Sequence, residues 1–423
     1  MNNIGFKIKY YRTKLGMTQS ELASGIISAS YLSKIENGNT EADPEVIGLL
    51  CKRLNISPHL TEFESDTEIC QSWFKTLLDG NREKATQQFD ELTTSASVFS
   101  NDSLVNLIDI NKLRYYILIN EKFRASRQLA VLERRSKKFE LREEYYWTKF
   151  KGEYYFSIFA YGEALQLFQA AERLNANNLF FKEQEEADLS YLMALAASKM
   201  RQTHLALFHA SKSLNYYQST YNLYKCAQCH ILLGIAYRRI EDLENAKQSY
   251  EMARTIAKSI SNTTILSQCN QNMGALYASI GEPPKAIEYF IASYESRIGQ
   301  EPLKLLVPIS SLMKEYYKVE DFPNARLWLN KGLEITKSIH EEESIHVLEF
   351  KVYQELLSNE NSPALEQIIL NEVFPFLDKK NLFYLKQIYQ ETLANYYYRI
   401  RKYKSAADYY IKANQTLTTI YNK

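Results

Sequence analysis

Residues 18–38 read TQSELASGIISASYLSKIENG. Thr18 carries an N-cap hydroxyl, and Glu21, three residues on, supplies the carboxylate that completes a capping box. The pair predicts a short helix from Thr18 to Ala23 with Leu22 and Ala23 on its apolar side. Ser24-Gly25-Ile26 interrupts it, because Gly25 can take positive φ at little steric cost. Ser28 is a second N-cap, and the helix it opens turns Leu32 and Ile35 inward before stopping at Asn37-Gly38. Two short helices across a tight turn make a helix-turn-helix, whose second helix offers its N-terminal half to base edges in the major groove.

The flanking residues complete a small bundle. Ile4, Ile8, Tyr11 and Leu15 recur at helical spacing and predict a first helix, Ile4 to Leu15, with those residues in the core. Lys7, Lys9, Arg12 and Lys14 make its other side basic. That suits a helix crossing a phosphate backbone. Asp43-Pro44 opens a fourth helix whose apolar side is Val46, Leu49, Leu50 and Leu54, and Ser57-Pro58 opens a fifth. A helix-turn-helix domain is expected over 1–62, a linker helix over 63–72 and a second domain over 73–423.

Composition narrows the remaining classes. The net charge of +1 over 423 residues gives no chain-wide attraction to nucleic acid, so that signal is local. No run of 18 apolar residues suggests a membrane span, and MNNIGFKIKYY lacks the apolar stretch of a secretory signal, so a cytoplasmic protein without a membrane partner is expected. Five sparse cysteines argue against a disulfide framework. Cys226-x-x-Cys229 lies in a helical run with no second pair to complete a zinc site and reads as buried thiols. No P-loop, HExxH or GxSxG is present, and the six histidines are scattered, so neither an enzyme nor a cofactor or metal is expected.

Beyond residue 65 the chain repeats itself. A small residue recurs at Ala85, Ala125, Ala164, Ala206, Ala246, Ala286, Ala325, Ala364 and Ala406, at spacings of 39 to 42 residues. Four residues later stands a large one in most units: Phe89, Leu129, Phe168, Tyr250, Phe290, Leu329 and Tyr410. Seven later comes another small one, as at Ala171, Ala253, Ser293, Gly332 and Ala413. The preceding helix carries Gly152 with Tyr155, Gly234 with Tyr237, Gly274 with Tyr277, and finally Ala394 with Tyr397. A near-constant period over nine units predicts an α-solenoid in which small residues let helices approach and aromatics fill the gaps. Cys229 and Cys269, 40 apart, occupy one slot of successive units.

The stretch TQSELA…SYLSKIENG resembles the phage-repressor-like (Cro/C1 or Xre-type) helix-turn-helix. The array resembles the tetratricopeptide repeat, although that repeat has a period of about 34 residues. The expected fold is therefore all-α: the N-terminal bundle, then a right-handed solenoid of about nine helix pairs. By position, the first resemblance implies phosphate contacts from Gln19 and Asn37. It also implies base-edge contacts from Ala29, Ser30, Ser33 and Lys34, with Lys34 placed to reach guanine O6 and N7. Arg12, Ser28 and Tyr31 complete the DNA-binding set. The second implies a concave groove lined by first helices. Its candidate peptide-binding residues are Asn111, Arg114, Tyr191, Gln228, Arg238, Arg239, Gln268, Asn272 and Asn395. Asn and Gln can both donate to and accept from a peptide backbone, and Arg can hold a carboxylate bidentately.

Such a fusion resembles the RRNPP peptide-pheromone receptors, and the length looks most like their PlcR- and NprR-like branch. The resemblance implies a quorum-sensing transcription regulator that binds a palindromic double-stranded DNA operator and is switched by a short signalling peptide. It implies a homodimer, or a higher oligomer once the peptide is bound, and makes Asn272, in N-x-G before Tyr277, the best match to the residues that grip the peptide backbone. The alternative is an adaptor that sequesters a response regulator of a phosphorelay through the repeats.

Overall fold

The computed structural model describes all residues except 1–3, 41, 55, 57–60, 95–101, 175–178, 338–343, 359–360 and 422–423. The described residues are helical and contain no strand. They divide into two compact units, Met1–Tyr154 with Arg173–Lys182, and Tyr155–Glu172 with Glu183–Lys423.

The first unit begins with α1 (Ile4–Lys14), α2 (Gln19–Ala23), α3 (Ala29–Glu36) and α4 (Pro44–Arg53). Thr18 caps α2 with the full capping box, Ser28 caps α3 by accepting from the Tyr31 N–H, and Asp43 caps α4 ahead of Pro44. Gly25 and Gly38 stand at φ +74° and +71°, the left-handed region their missing Cβ permits. Ile4, Ile8, Leu22, Ala23, Leu32, Leu50, Cys51 and Leu54 form the core. Two expected core residues are outside it: Leu15 is 57% exposed, just past the end of α1, and Leu49 is 51% exposed, its place taken by Leu50 and Cys51. The expected start of a fifth helix at Ser57-Pro58 lies outside the described residues, as do His59 and His340. The next helix, α5 (Thr61–Asp79), runs straight through the expected linker.

The array follows as α6 (Arg82–Thr94), α7 (Asp102–Leu118), α8 (Lys122–Arg135), α9 (Leu141–Ser157), α10 (Tyr161–Leu174), α11 (Lys182–Lys199), α12 (Thr203–Ser219), α13 (Leu223–Arg239), α14 (Leu243–Ser259), α15 (Thr263–Ser279) and α16 (Pro283–Glu295). It continues with α17 (Pro302–Lys318), α18 (Phe322–Thr336), α19 (Ile345–Ser358), α20 (Pro363–Ile368), α21 (Phe374–Lys379), α22 (Phe383–Arg399) and α23 (Tyr403–Tyr421). Eight of the nine repeat alanines are buried. The packing behind the period is direct: a Cβ on Gly234 would stand 2.4 Å from the Tyr250 ring, and one on Gly274 2.5 Å from Phe290.

One turn recurs at the ends of the first helices. Arg201, Glu241, Gly281 and Glu320 take φ of +57°, +62°, +76° and +61°. The N–H after each reaches back five residues, as in Gln202 N to Ala197 O at 2.9 Å and Asp242 N to Tyr237 O at 3.0 Å. This is the Schellman closure, which satisfies helix-end carbonyls and lets the next helix start at once.

Two units depart from the pattern. In the eighth, Leu365 rather than Ala364 is buried, and a π turn at Ile369–Val373 precedes Pro375, whose missing N–H cannot serve an α-helical ladder. In the last, Tyr410 is 42% exposed, since no further described helix covers it. In α17, Pro308 deprives the Lys304 carbonyl of its helical donor, and the buried Arg297 guanidinium supplies one at 2.8 Å.

Polar ties about one period apart join successive first helices. In the second unit they include Lys225 to Asp188, Gln271 to Ser311, and Ser310 to Glu349 at 3.5, 2.8 and 2.9 Å. Burial alone would raise the Glu349 carboxyl, but Lys314 and His346 beside it carry it well below the usual carboxylate range. A carboxylate whose pKa is lower folded than unfolded stabilises the fold above the unfolded value, near 4.5, and loses that contribution as pH falls through the folded one. Glu349→Gln is therefore expected to cost about 3 kcal/mol at neutral pH. Chemical denaturation from pH 7 to pH 3 should show the gap to wild type closing on the acid side.

Candidate DNA interface and repeat-lining site

In the N-terminal bundle, Ser30, Lys34 and Asn37 lie at i, i+4 and i+7 along α3 and its cap, and all three are exposed. They share one face. Ser28 is exposed at the cap, while Ala29, Tyr31 and Ser33 are half-buried beside that row. The Asn37 side-chain oxygen accepts from Lys9 Nζ at 3.0 Å, which joins α1 to the end of α3. The side chains of Lys7 and Lys14 lie outside the described residues.

Arg12 requires a correction. It is 8% exposed, and its guanidinium grips Glu36 through Nε at 2.6 Å and through a terminal nitrogen at 3.0 Å, with a third bond to the Met17 carbonyl at 2.8 Å. Glu36 is fully buried and also accepts from Gln19 Nε2 at 2.7 Å. Arg12 thus welds α1 to the end of α3, and Gln19 gives one amide hydrogen to the same carboxylate. Arg53, which no sequence motif singles out, donates to the Leu22 carbonyl at 2.9 Å and to the Ser24 carbonyl, closing the C-terminal end of α2.

Three of the array residues are also corrected. Asn111 is 3% exposed, and its amide donates to the Leu107 carbonyl of its own helix. Arg114 is buried 3.7 Å from the Glu153 carboxylate and 5.1 Å from the Phe150 ring centre. Tyr191 is buried beneath the Lys225 ammonium, 4.3 Å from its ring centre, and burial drives its hydroxyl pKa well up. All three are buried, Asn111 against its own helix and Arg114 and Tyr191 against charged and aromatic neighbours.

The other six stand in the second unit and are at least partly exposed as residues. Gln268 and Asn395 are exposed; Gln228, Arg238, Arg239 and Asn272 are half-buried. Gln228 donates to the Tyr224 hydroxyl at 3.2 Å but leaves its own oxygen unpartnered. Asn272 donates to the Gln268 carbonyl at 2.9 Å, and Asn395 accepts from the Tyr410 hydroxyl at 2.5 Å. Gln271 belongs with this group although it was not expected: it donates to Ser311, and its oxygen has no partner. Its signal was the 40-residue spacing to Ser311. The five cysteines are buried thiols outside any disulfide, and burial pushes the Cys229 and Cys269 thiols up to about 12. Among the described residues no His, Cys, Asp or Glu side chains gather as a metal site, and no helix is long and apolar enough to cross a membrane.

Residues 8–60 match the helix-turn-helix family. Over 408 residues the chain is 31% identical to the transcriptional activator NprA of Geobacillus stearothermophilus, covering 95% of this chain and 100% of NprA. The chain belongs to the RRNPP family of peptide-pheromone receptors. Similarity within this RRNPP protein extends to response regulator aspartate phosphatase A of Bacillus subtilis (strain 168), at 26% identity over 64% of this chain and 69% of the phosphatase. The fold matches crystalline NprR in complex with its cognate peptide NprX, with a TM-score of 0.69 and 20% identity over 84% of this chain and 98% of NprR.

Proposed function

We propose that this RRNPP protein is a cytoplasmic, homodimeric quorum-sensing transcription regulator. Its domain 1–62 binds a palindromic operator. Its repeats, over 73–423 beyond the linker 63–72, take a short signalling peptide that switches it, with or without a further step of assembly. One observation carries the reading. The same chain holds an exposed Ser30–Lys34–Asn37 row on a helix-turn-helix and a repeat array whose Gln228 and Gln271 side chains keep unused hydrogen-bonding capacity. The likeness to NprA, a transcriptional activator, and to NprR, crystallised with a peptide, supports it. Gln228, Arg238, Arg239, Gln268, Asn272 and Asn395 are the proposed peptide contacts.

Lys34→Ala is the cleanest test of the DNA half, because Lys34 is exposed on the recognition face. Operator affinity is expected to fall by about 1–3 kcal/mol, with the melting temperature unchanged. Gel shifts against operators isolated by selection from random DNA provide the measurement, and unchanged affinity on every one of them would refute the assigned reading face.

Similarity to aspartate phosphatase A favours a second reading. In it the array binds a response regulator and acts on a phosphorelay. Deleting residues 1–62 separates the two: a response regulator that still co-purifies with the array supports the adaptor role.

A further inference from the structure

Within the second unit, Lys199, Arg201, Arg238 and Arg239 gather where α11 and α13 end. Arg239 donates to the Ser198 carbonyl at 2.6 Å, and the Arg201 guanidinium stacks 3.1 Å from the ring centre of Tyr384 on α22. A single cation at a helix C-terminus is ordinary, since it meets the negative end of the helix dipole. Four together are not, because each disfavours the charge of the next. Burial first, then Arg201 and Arg238, depress Arg239 to about 10, and burial and Arg239 depress Lys199. No carboxylate contributes to either shift.

Three donors in the cluster are unspent. The Nε atoms of Arg238 and Arg239 are buried without a partner. Tyr250 is fully buried, with its hydroxyl beside Arg238. A guanidinium can only donate, so the hydrogen of that hydroxyl has no acceptor. Buried polar groups are nearly always satisfied, and three unsatisfied donors among four cations ask for one anionic acceptor.

We infer that the cluster is the receptor for a carboxylate, held against the Nε edges of Arg238 and Arg239, with the Tyr250 hydroxyl as a third donor. The inference rests on the peptide reading of the array and adds where and by what chemistry the ligand is anchored. Arg238 and Arg239 are each partly exposed as residues, so a small side-chain rotation opens the buried Nε edge to an incoming group. Lys199 and Arg201 supply the remaining charge, Arg201 with its guanidinium laid on the Tyr384 ring. The carboxylate belongs either to the free C-terminus of the peptide or to an acidic side chain.

Three random heptapeptide libraries decide between these sources when offered to the full chain and read by affinity-selection mass spectrometry. The first has free C-terminal acids and no Asp or Glu, the second is amidated with Asp and Glu, and the third is amidated without them. Enrichment from the first assigns the C-terminus, and enrichment from the second assigns a side chain. A selected peptide is expected to bind Arg238→Gln and Tyr250→Phe roughly tenfold to a hundredfold more weakly. Thermal melting should match wild type, since neither replaced group holds the Ser198 carbonyl. Peptides from the third library that bind equally well would overturn the carboxylate site and leave the peptide reading standing. The carboxylate site is likewise overturned if both variants bind a selected peptide as wild type does. Failure of all three libraries would overturn both.

Discussion

Arg12→Ala is expected to abolish DNA binding by unfolding the N-terminal bundle, not by removing a phosphate contact. Glu36 is fully buried, and Arg12 supplies two of the three side-chain bonds that keep its charge tolerable. Removing one partner of a buried ion pair strands the other and costs about 3–5 kcal/mol. A bundle of this size has roughly 3–9 kcal/mol in all. Circular dichroism on the isolated bundle should therefore show a large loss of helix or a steep fall in melting temperature, alongside a lost gel shift. The pair can also be removed together. Arg12→Met with Glu36→Leu leaves no stranded charge, and apolar replacement of buried pairs is often neutral. The double variant is expected to regain fold and operator binding. If Arg12→Ala keeps its melting temperature and only flattens the salt dependence of binding, the guanidinium is a phosphate ligand after all.

That exchange marks the limit of what the sequence disclosed. Local chemistry was legible: the Thr18–Glu21 capping box, the Ser28 cap and the positive φ of Gly25 follow from residues within three positions of each other. So was the period, because close packing of Gly234 on Tyr250 and Gly274 on Phe290 leaves the same mark every unit. Partners far apart were not legible. Helical spacing put Arg12 on the basic side of α1, but nothing in the sequence says that Glu36, 24 residues on, folds back to meet it. The same gap hid the burial of Asn111, Arg114 and Tyr191: they lie on the expected helices, but the repeat alone does not say which of their slots turn inward. In the eighth unit the π turn accompanies a shift of the buried place from Ala364 to Leu365, which no average period reveals. The turns were hidden for another reason. Only Gly281 among them is a glycine, while Arg201, Glu241 and Glu320 accept the left-handed region because the closure they complete outweighs the strain.

Three glycine-to-alanine substitutions should separate what glycine does at each place, and Gly5→Ala should be by far the most damaging. A Cβ on Gly5 would sit 1.9 Å from the Ile35 carbonyl oxygen and 2.8 Å from its carbon. These are backbone atoms of α3, so no side chain can swing aside, and α1 must move off the helix that carries the reading face. Overpacking of this kind costs about 1–3 kcal/mol or more, enough to take a large share of the bundle's stability and to displace Lys34 from its register. At Gly234 the added methyl meets the Tyr250 ring at 2.4 Å. A ring can tilt, so a cost near the low end of that range is expected, confined to the array. At Gly48, in the middle of α4, nothing lies within 4 Å. There alanine only removes backbone freedom from the unfolded chain, and a gain of about 0.5–1 kcal/mol is expected. Melting curves of the three variants, with operator binding measured on each, should give the order Gly48→Ala above wild type, then Gly234→Ala, then Gly5→Ala, with DNA binding lost only in the last. A Gly5→Ala variant as stable as wild type would mean that α1 and α3 do not approach backbone to backbone. The recognition helix would then have to be held by the Arg12–Glu36 pair and the Leu32 and Ile35 contacts alone.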